Sequence, residues 1–372
     1  SFLAPVAGNI WGGNKQKRAC AKKYCHRLNH CGVGIIGMKK RLLKITVGLV
    51  LVIFVGGGVF YIITWYGFRH EHSDVVFGVT FSTIMARQLG LEPRTVFDAM
   101  VDDLGVKKIR LPVYWSDVEQ ERDKFDFGDY DYFIKKSESR EVKLTLAIGR
   151  KLPRWPECFI PGWSMSLQES EREERILGML REIVMRYRGS SAVERWQVEN
   201  EPFHAFGAGC ANQKISAEVL DKEIALVRSL DSRPIMLTDS GEQGIWSSSL
   251  KRADIIGISI YYQVWNDLFR VVYFPFGPGF YKLKAKLFSR LYPGKKIIVS
   301  ELQAEAWGPD LLPGYRPEFQ KGLFDVARFR EIIHRARRAG FDENYLWGVE
   351  WWYWLKEKQN DDNLWDEARM LF

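Results

Sequence analysis

Residues 195–202 read Arg195-Trp196-Gln197-Val198-Glu199-Asn200-Glu201-Pro202. A short β-rich run passes straight into a cluster of carboxyl and amide side chains closed by a proline. Further along, Ile297-Ile298-Val299-Ser300 leads in the same way into Glu301. Six more β-rich runs surround these two: Val75–Thr80, Lys108–Val113, Lys143–Ile148, Pro234–Leu237, Ile255–Ile260 and Tyr345–Val349. Several are continuously apolar rather than alternating, the pattern of strands buried on both faces.

Helical patterns separate the runs. Pro93 to Leu104 follows a proline placed at a helix start. Leu167–Tyr187, Ser216–Leu230, Tyr281–Leu291 and Phe324–Ala339 repeat apolar residues at the helical period, and Gly340 supplies a C-terminal stop. Asn363–Leu371 closes the chain. Eight strands alternating with helices predict an α/β fold, a (β/α)8 TIM barrel over residues 72–372. The alternative is a doubly wound open sheet. It favours a glycine-rich phosphate loop after an early strand, whereas Phe81-Ser82-Thr83 follows the first one here.

In a barrel the chemistry sits at the C-terminal strand ends. Glu201 ends the fourth strand and Glu301 the seventh. Hydrolysis of a glycosidic bond needs two such carboxyl groups, one to protonate the leaving oxygen and one to attack or to activate water. With this pair at these strands, Asn200-Glu201-Pro202 and Glu301 resemble the clan A glycoside hydrolases, the retaining barrels that include the family 5 cellulases and mannanases. The resemblance covers residues 75–372. It implies that Glu201 is the general acid/base and Glu301 the nucleophile. It also implies that Asn200 bonds the sugar 2-hydroxyl. Arg110 would orient the nucleophile, its guanidinium keeping Glu301 ionised, and Tyr261 would stand beside it. Trp352, or Trp351 one position away, would form the aromatic floor under the sugar. Two features depart from family 5. Ser259 stands where a histidine is usual, and Gly149-Arg150-Lys151 replaces a histidine-rich third-strand end.

Any one glutamate at a strand end could be a solvated loop residue or a helix N-terminal acid. Glu201, Glu301, Arg110, Asn200 and Tyr261 falling together at strand ends favours a site. Glu199 is expected to support the site or face the outer helices. Glu305 and Glu350 compete as site carboxylates. Trp115, Trp155, Trp163, Trp265 and Trp307 also follow strands, and Trp155 and Trp307 are expected to stack on sugar rings; core packing is the alternative for each. Cys158 and Cys210 fall in neighbouring loops, and a disulfide between them would brace the cleft. The apolar loop Val272–Tyr281 would wall one side of the cleft or dock on a membrane surface. No metal or organic cofactor is expected. A glycan-binding barrel without catalysis and a transglycosylase remain alternatives. So does a lyase or aldolase, for which Lys151 is the only strand-end lysine near the site.

The chain has 372 residues with a formal charge of +8, which alone suggests nucleic acid or an anionic membrane as partner. The charge is not spread evenly. Eleven basic residues and no acidic one precede Glu71, leaving 43 basic against 46 acidic beyond. The barrel thus offers no electrostatic case for nucleic acid, and aromatic residues at 14% point instead to an oligo- or polysaccharide. Ile45–Tyr66 is almost wholly apolar and long enough to span a bilayer. Lys39, Lys40, Arg41 and Lys44 precede it, and Tyr61, Trp65 and Tyr66 end it. A single transmembrane helix over residues 42–67 is expected, with residues 1–41 cytoplasmic and the barrel extracytoplasmic. A cleaved signal peptide would show a shorter run and a small-residue cleavage site. Met38 reads like a natural start, which leaves residues 1–37 as tail, tag or upstream sequence. Their Cys20, Cys25, Cys31, His26 and His30 lack common zinc spacings.

Overall fold

In a computed structural model, the chain is described over residues 17–205, 214–266, 268–309 and 312–372, with side chains from Arg41 onward. Two compact units divide it, residues 1–62 and 63–372. Most of the first unit is a helix, Lys17–Tyr66, that begins well before the expected apolar span and ends past residue 62. Its segment Arg41–Tyr66 is the one helix among the described residues long and apolar enough to cross a membrane. Leucine, valine, isoleucine and phenylalanine side chains line this segment and are exposed within the unit.

In the second unit, eight parallel strands close into a barrel: β1 (Val76–Thr80), β2 (Lys108–Pro112), β3 (Lys143–Ile148), β4 (Val193–Val198), β5 (Ile235–Ser240), β6 (Ile255–Ile260), β9 (Lys296–Gln303) and β10 (Glu343–Trp347). Strand β6 reads Ile-Ile-Gly-Ile-Ser-Ile and is buried throughout, because one face fills the barrel and the other meets the helices. The helix Glu169–Tyr187 shows the complementary pattern. Ile176, Met179, Leu180, Ile183, Val184 and Tyr187 recur at three- and four-residue spacing and are buried. Caps fix the helix starts. The Ser216 hydroxyl accepts from the Val219 N–H at 3.2 Å, and the Asp325 carboxylate accepts from the Arg328 N–H at 2.8 Å. Gly340 ends the helix Val326–Ala339 at φ 70°.

Two departures from the sequence reading matter for the site. An antiparallel hairpin, β7 (Gln263–Asn266) and β8 (Arg270–Tyr273), is inserted after β6. The last barrel strand also ends at Trp347, two residues before the expected end. Gly348 takes φ 126°, and a Cβ there would sit 2.6 Å from the Glu305 Cβ. The chain then enters a helix, Val349–Gln359, so Glu350, Trp351 and Trp352 are helical rather than strand residues.

The opposite end of the barrel holds a charge cluster. Glu343 accepts from Arg195 at 2.7 Å and Lys296 at 2.5 Å, with Lys108 at 3.5 Å. Burial pushes the Glu343 carboxyl up, but the three cations outweigh it and hold it at about 2. Its stabilising contribution is therefore present above the unfolded carboxyl range and lost as pH falls toward 2. Glu343→Ala is expected to cost about 3–5 kcal/mol at neutral pH, read by urea unfolding, because it strands the buried Arg195 guanidinium. A change under 1 kcal/mol would refute this role.

Candidate active site

The strand ends converge on Arg110. It leaves β2 fully buried, with its donors spread across three neighbours. Its Nε donates to Gln197 Oε1 at 2.6 Å, Nη2 to Asn200 Oδ1 at 2.8 Å and Nη1 to Glu301 Oε1 at 2.7 Å. Glu301 is oriented from the other side by Tyr261, whose hydroxyl donates to Oε2 at 2.8 Å. A bulge helps aim it: Ile258 pairs with Val299 but Ser259 pairs with Glu301, so Ser300 is extra in β9. Bulges beside active sites re-aim side chains in this way.

Glu201 is held differently. It follows β4 at φ 41°, its N–H donating to Thr238 Oγ1 at 2.7 Å. Its Oε1 accepts from the Ser259 hydroxyl at 2.7 Å. Ser259 and Glu301 are register partners, so the two carboxyl groups converge across one strand spacing. Burial, and then the Glu301 charge, push the Glu201 carboxyl up to about 7; the Ser259 hydrogen bond pulls the other way. The two glutamates thus differ in environment. One is bracketed by a guanidinium and a phenol, and the other is buried with a hydroxyl donor. Serine at position 259, where family 5 usually has histidine, is the group that touches Glu201.

Asn200 lies beneath the cleft floor. Its Oδ1 accepts from Arg110, from Thr238 Oγ1 at 3.0 Å and from Gln197 Nε2 at 3.4 Å. Glu199 turns away from the cleft, accepting the N–H groups of Arg150 at 3.0 Å and Lys151 at 2.6 Å. Lys151 is buried, and its ammonium donates to the carbonyls of Glu201 at 3.1 Å and His204 at 2.5 Å.

Above these residues opens a cleft of about 740 Å³. Glu201, Glu301, Tyr261, Trp155 and Trp307 line it. Trp155 is half-exposed, and Trp307 meets the Tyr261 ring edge-on at 5.0 Å. The expected floor is corrected. Trp351 and Trp352 are fully buried behind the barrel, donating to Gln320 Oε1 at 2.5 Å and to the Ala304 carbonyl at 2.7 Å. Trp347 lines the cleft instead, because the strand stops at Gly348. Glu305 and Glu350 hold Arg154 at 2.5 and 2.7 Å, with the Arg154 guanidinium 4.2 Å from the centre of the Trp347 ring. Val264, Trp265 and Phe274 bring the hairpin and the segment after it into the wall. Sequence reasoning missed Trp347, Arg154, Glu157 and Glu242 among the lining residues. Cys158 is disulfide-bonded. Cys210, its expected partner, lies outside the described residues, as do the side chains of Cys20, Cys25, Cys31, His26 and His30.

No protein-family model matches the sequence, and no curated protein matches it. Its fold is that of glycoside hydrolases of known structure. A β-galactosidase from Bacillus circulans sp. alkalophilus superimposes with a TM-score of 0.53 at 11% identity, over 82% of this chain and 56% of that one. The GH5_18 protein of Bifidobacterium longum subsp. longum gives 0.51 at 11% identity, over 74% and 70%. The β-galactosidase of the psychrophilic Marinomonas ef1 gives 0.50 at 11%, over 80% and 59%. The chain thus spans a little over half the length of the two β-galactosidases.

For chemistry that uses Glu201 in its protonated form, kcat/KM is expected to fall as pH rises through about 7. Ser259→Ala removes a hydrogen bond that favours the carboxylate, so this limb should move to higher pH. A pH–rate profile checks both, and a limb unmoved by the substitution would contradict the role of Ser259.

Proposed function

We propose that the chain is a retaining β-glycoside hydrolase acting through a covalent glycosyl-enzyme. The observation that carries this reading is the paired treatment of two carboxyl groups across β6. Glu301 is braced by Arg110 at 2.7 Å and Tyr261 at 2.8 Å, while Glu201 sits in a site that favours its proton. Glu301 attacks the anomeric carbon and the glycosidic bond breaks. Glu201 gives its proton to the departing oxygen. In the second step Glu201 takes a proton from water, which attacks the anomeric carbon and releases Glu301. Such chemistry calls for carboxyl groups about 5–5.5 Å apart, close enough for direct attack. The amide nitrogen of Asn200 is the side left for the sugar 2-hydroxyl, since its oxygen is committed to three donors. Trp155, Trp307 and Trp347 offer faces for pyranose rings.

The substrate is a β-linked oligo- or polysaccharide. The segment Arg41–Tyr66 is proposed to anchor the enzyme in a membrane, with the preceding basic residues in the cytoplasm and the barrel outside. A membrane-bound barrel at the envelope would meet glycan polymers directly.

Glu301→Gln is expected to lower kcat on aryl β-glycosides at least ~10³-fold. Glu201→Gln should lose about 10²–10⁴-fold on substrates with poor leaving groups, and far less on activated aryl groups that need no proton. The anomer first released, followed by NMR, should retain the β configuration. Release of the α anomer, or full activity in Glu301→Gln, would overturn the reading. Sugar binding without turnover by the unaltered chain would favour a silent glycan-binding barrel.

A further inference from the structure

The segment Arg154-Trp155-Pro156-Glu157-Cys158 follows β3, and three of its residues, Arg154, Trp155 and Glu157, line the cleft. Its backbone is unusual. Arg154 and Glu157 take φ 89° and 64°, a left-handed region that non-glycine residues enter at a cost. The segment is pinned nonetheless. Lys151 and Cys158 form a β-bridge, the Glu157 N–H donates to the Arg154 carbonyl at 2.7 Å, and Cys158 is in a disulfide. The Arg154 guanidinium is held between Glu305 and Glu350. Two strained residues this firmly fixed call for a purpose beyond joining a strand to a helix.

Glu157 shows what is being held. Its side chain is only 13% exposed, and Oε2 is buried without a hydrogen-bond partner. The Lys151 ammonium is 3.8 Å away, beyond hydrogen-bond reach, and already donates to two carbonyls. Burial and the nearby Glu201 charge favour the neutral carboxylic acid. Oε2 is closed off from solvent, so a ligand in the cleft would meet the other carboxyl oxygen, on the part of the side chain that remains exposed. The ligand's chemistry follows from the surroundings. Arg110 and Lys151 place positive charge near Glu157 and disfavour an ammonium, and Glu201 and Glu301 disfavour an anion. An uncharged hydroxyl, able to donate and accept, fits.

We propose that Glu157 is a substrate-binding residue whose carboxyl grips one hydroxyl of the sugar ring seated between Glu201 and Glu301, and so selects the sugar by its hydroxyl pattern. This rests on the glycosidase reading above and adds to it the residue that reads the ring.

The test is a double-perturbation cycle on the full chain. The best aryl β-glycoside and its set of monodeoxy analogues are compared with the unaltered enzyme, Glu157→Gln and Glu157→Ala. Glu157→Ala should lower kcat/KM on the parent sugar about 10- to 100-fold. One deoxy analogue should suffer a similar loss with the unaltered enzyme and little further loss with the variant. Glu157→Gln, close in shape, should fall between; it carries the cycle alone if Glu157→Ala does not fold. Losses that simply add at every ring position would overturn the assignment of Glu157 while leaving the glycosidase intact. If no glycoside is turned over, calorimetry on the same sugars replaces kinetics with the same cycle. A chain that binds none of them defeats both readings.

Discussion

The candidate site depends on one buried cation. Arg110 brings a full positive charge into the barrel with no exposure to water. Such a charge is tolerable only when its donors are satisfied by well-placed acceptors. Gln197, Asn200 and Glu301 supply them from the fourth and seventh strands, and the Ser300 carbonyl adds a weaker one at 3.3 Å. The guanidinium therefore ties the two glutamate-bearing strand ends together. Its rigid fork does this in a way that a lysine's single point of charge would not. Displacing any one acceptor would leave a donor of this cation unpaired, so the positions of Glu301 and Asn200 are set together.

Around that cation the two halves of the proposed chemistry are separated by environment rather than by residue type. Both groups are glutamates, and both lie at the same end of the barrel. Glu301 receives a charged and a phenolic donor; Glu201 receives a serine hydroxyl and the neighbouring negative charge. Carboxyl groups held in different surroundings can take different roles within one site. The hydroxyl of Ser259 offers a neutral donor that cannot compete for the proton, whereas a histidine would bring a titrating group of its own.

The barrel is legible in the sequence because its strands are buried on both faces, which writes them as unbroken apolar runs such as Ile255–Ile260. Two bounds, Lys143–Ile148 and Ile255–Ile260, coincide with the structure. The carboxyl pair, Arg110, Asn200 and Tyr261 stand out for the same reason, as polar groups ending apolar runs. The aromatic floor does not. Trp351-Trp352-Tyr353-Trp354 has the composition of a strand, and nothing in composition tells that Gly348 breaks the backbone first. The hairpin β7–β8 escapes because its strands are four residues each and half-exposed, so neither period shows. Arg154 and Glu157 read as ordinary charged loop residues. Their ion pairs, Arg154 with Glu305 and Glu350 and Glu157 with Lys151, depend on the fold, and for Arg154 on residues about 150 and 200 positions away. The first helix runs back through the basic stretch to Lys17, beyond the apolar span that composition marks, and the Cys158 disulfide shows that the loop after β3 is covalently restrained.

Gly149 carries a further consequence. It sits at φ 139°, where a Cβ would lie 2.5 Å from the Glu199 carboxyl carbon. The loop after β3 is thus seated directly on the strand that carries Glu201, through the two N–H groups that Glu199 accepts. Neither element can drift without the other. Lengthening or retuning that loop would move the segment that positions Glu201. The rim that carries the hairpin is linked to Glu201 by another route, since Ser259, which donates to Glu201, lies just before the hairpin.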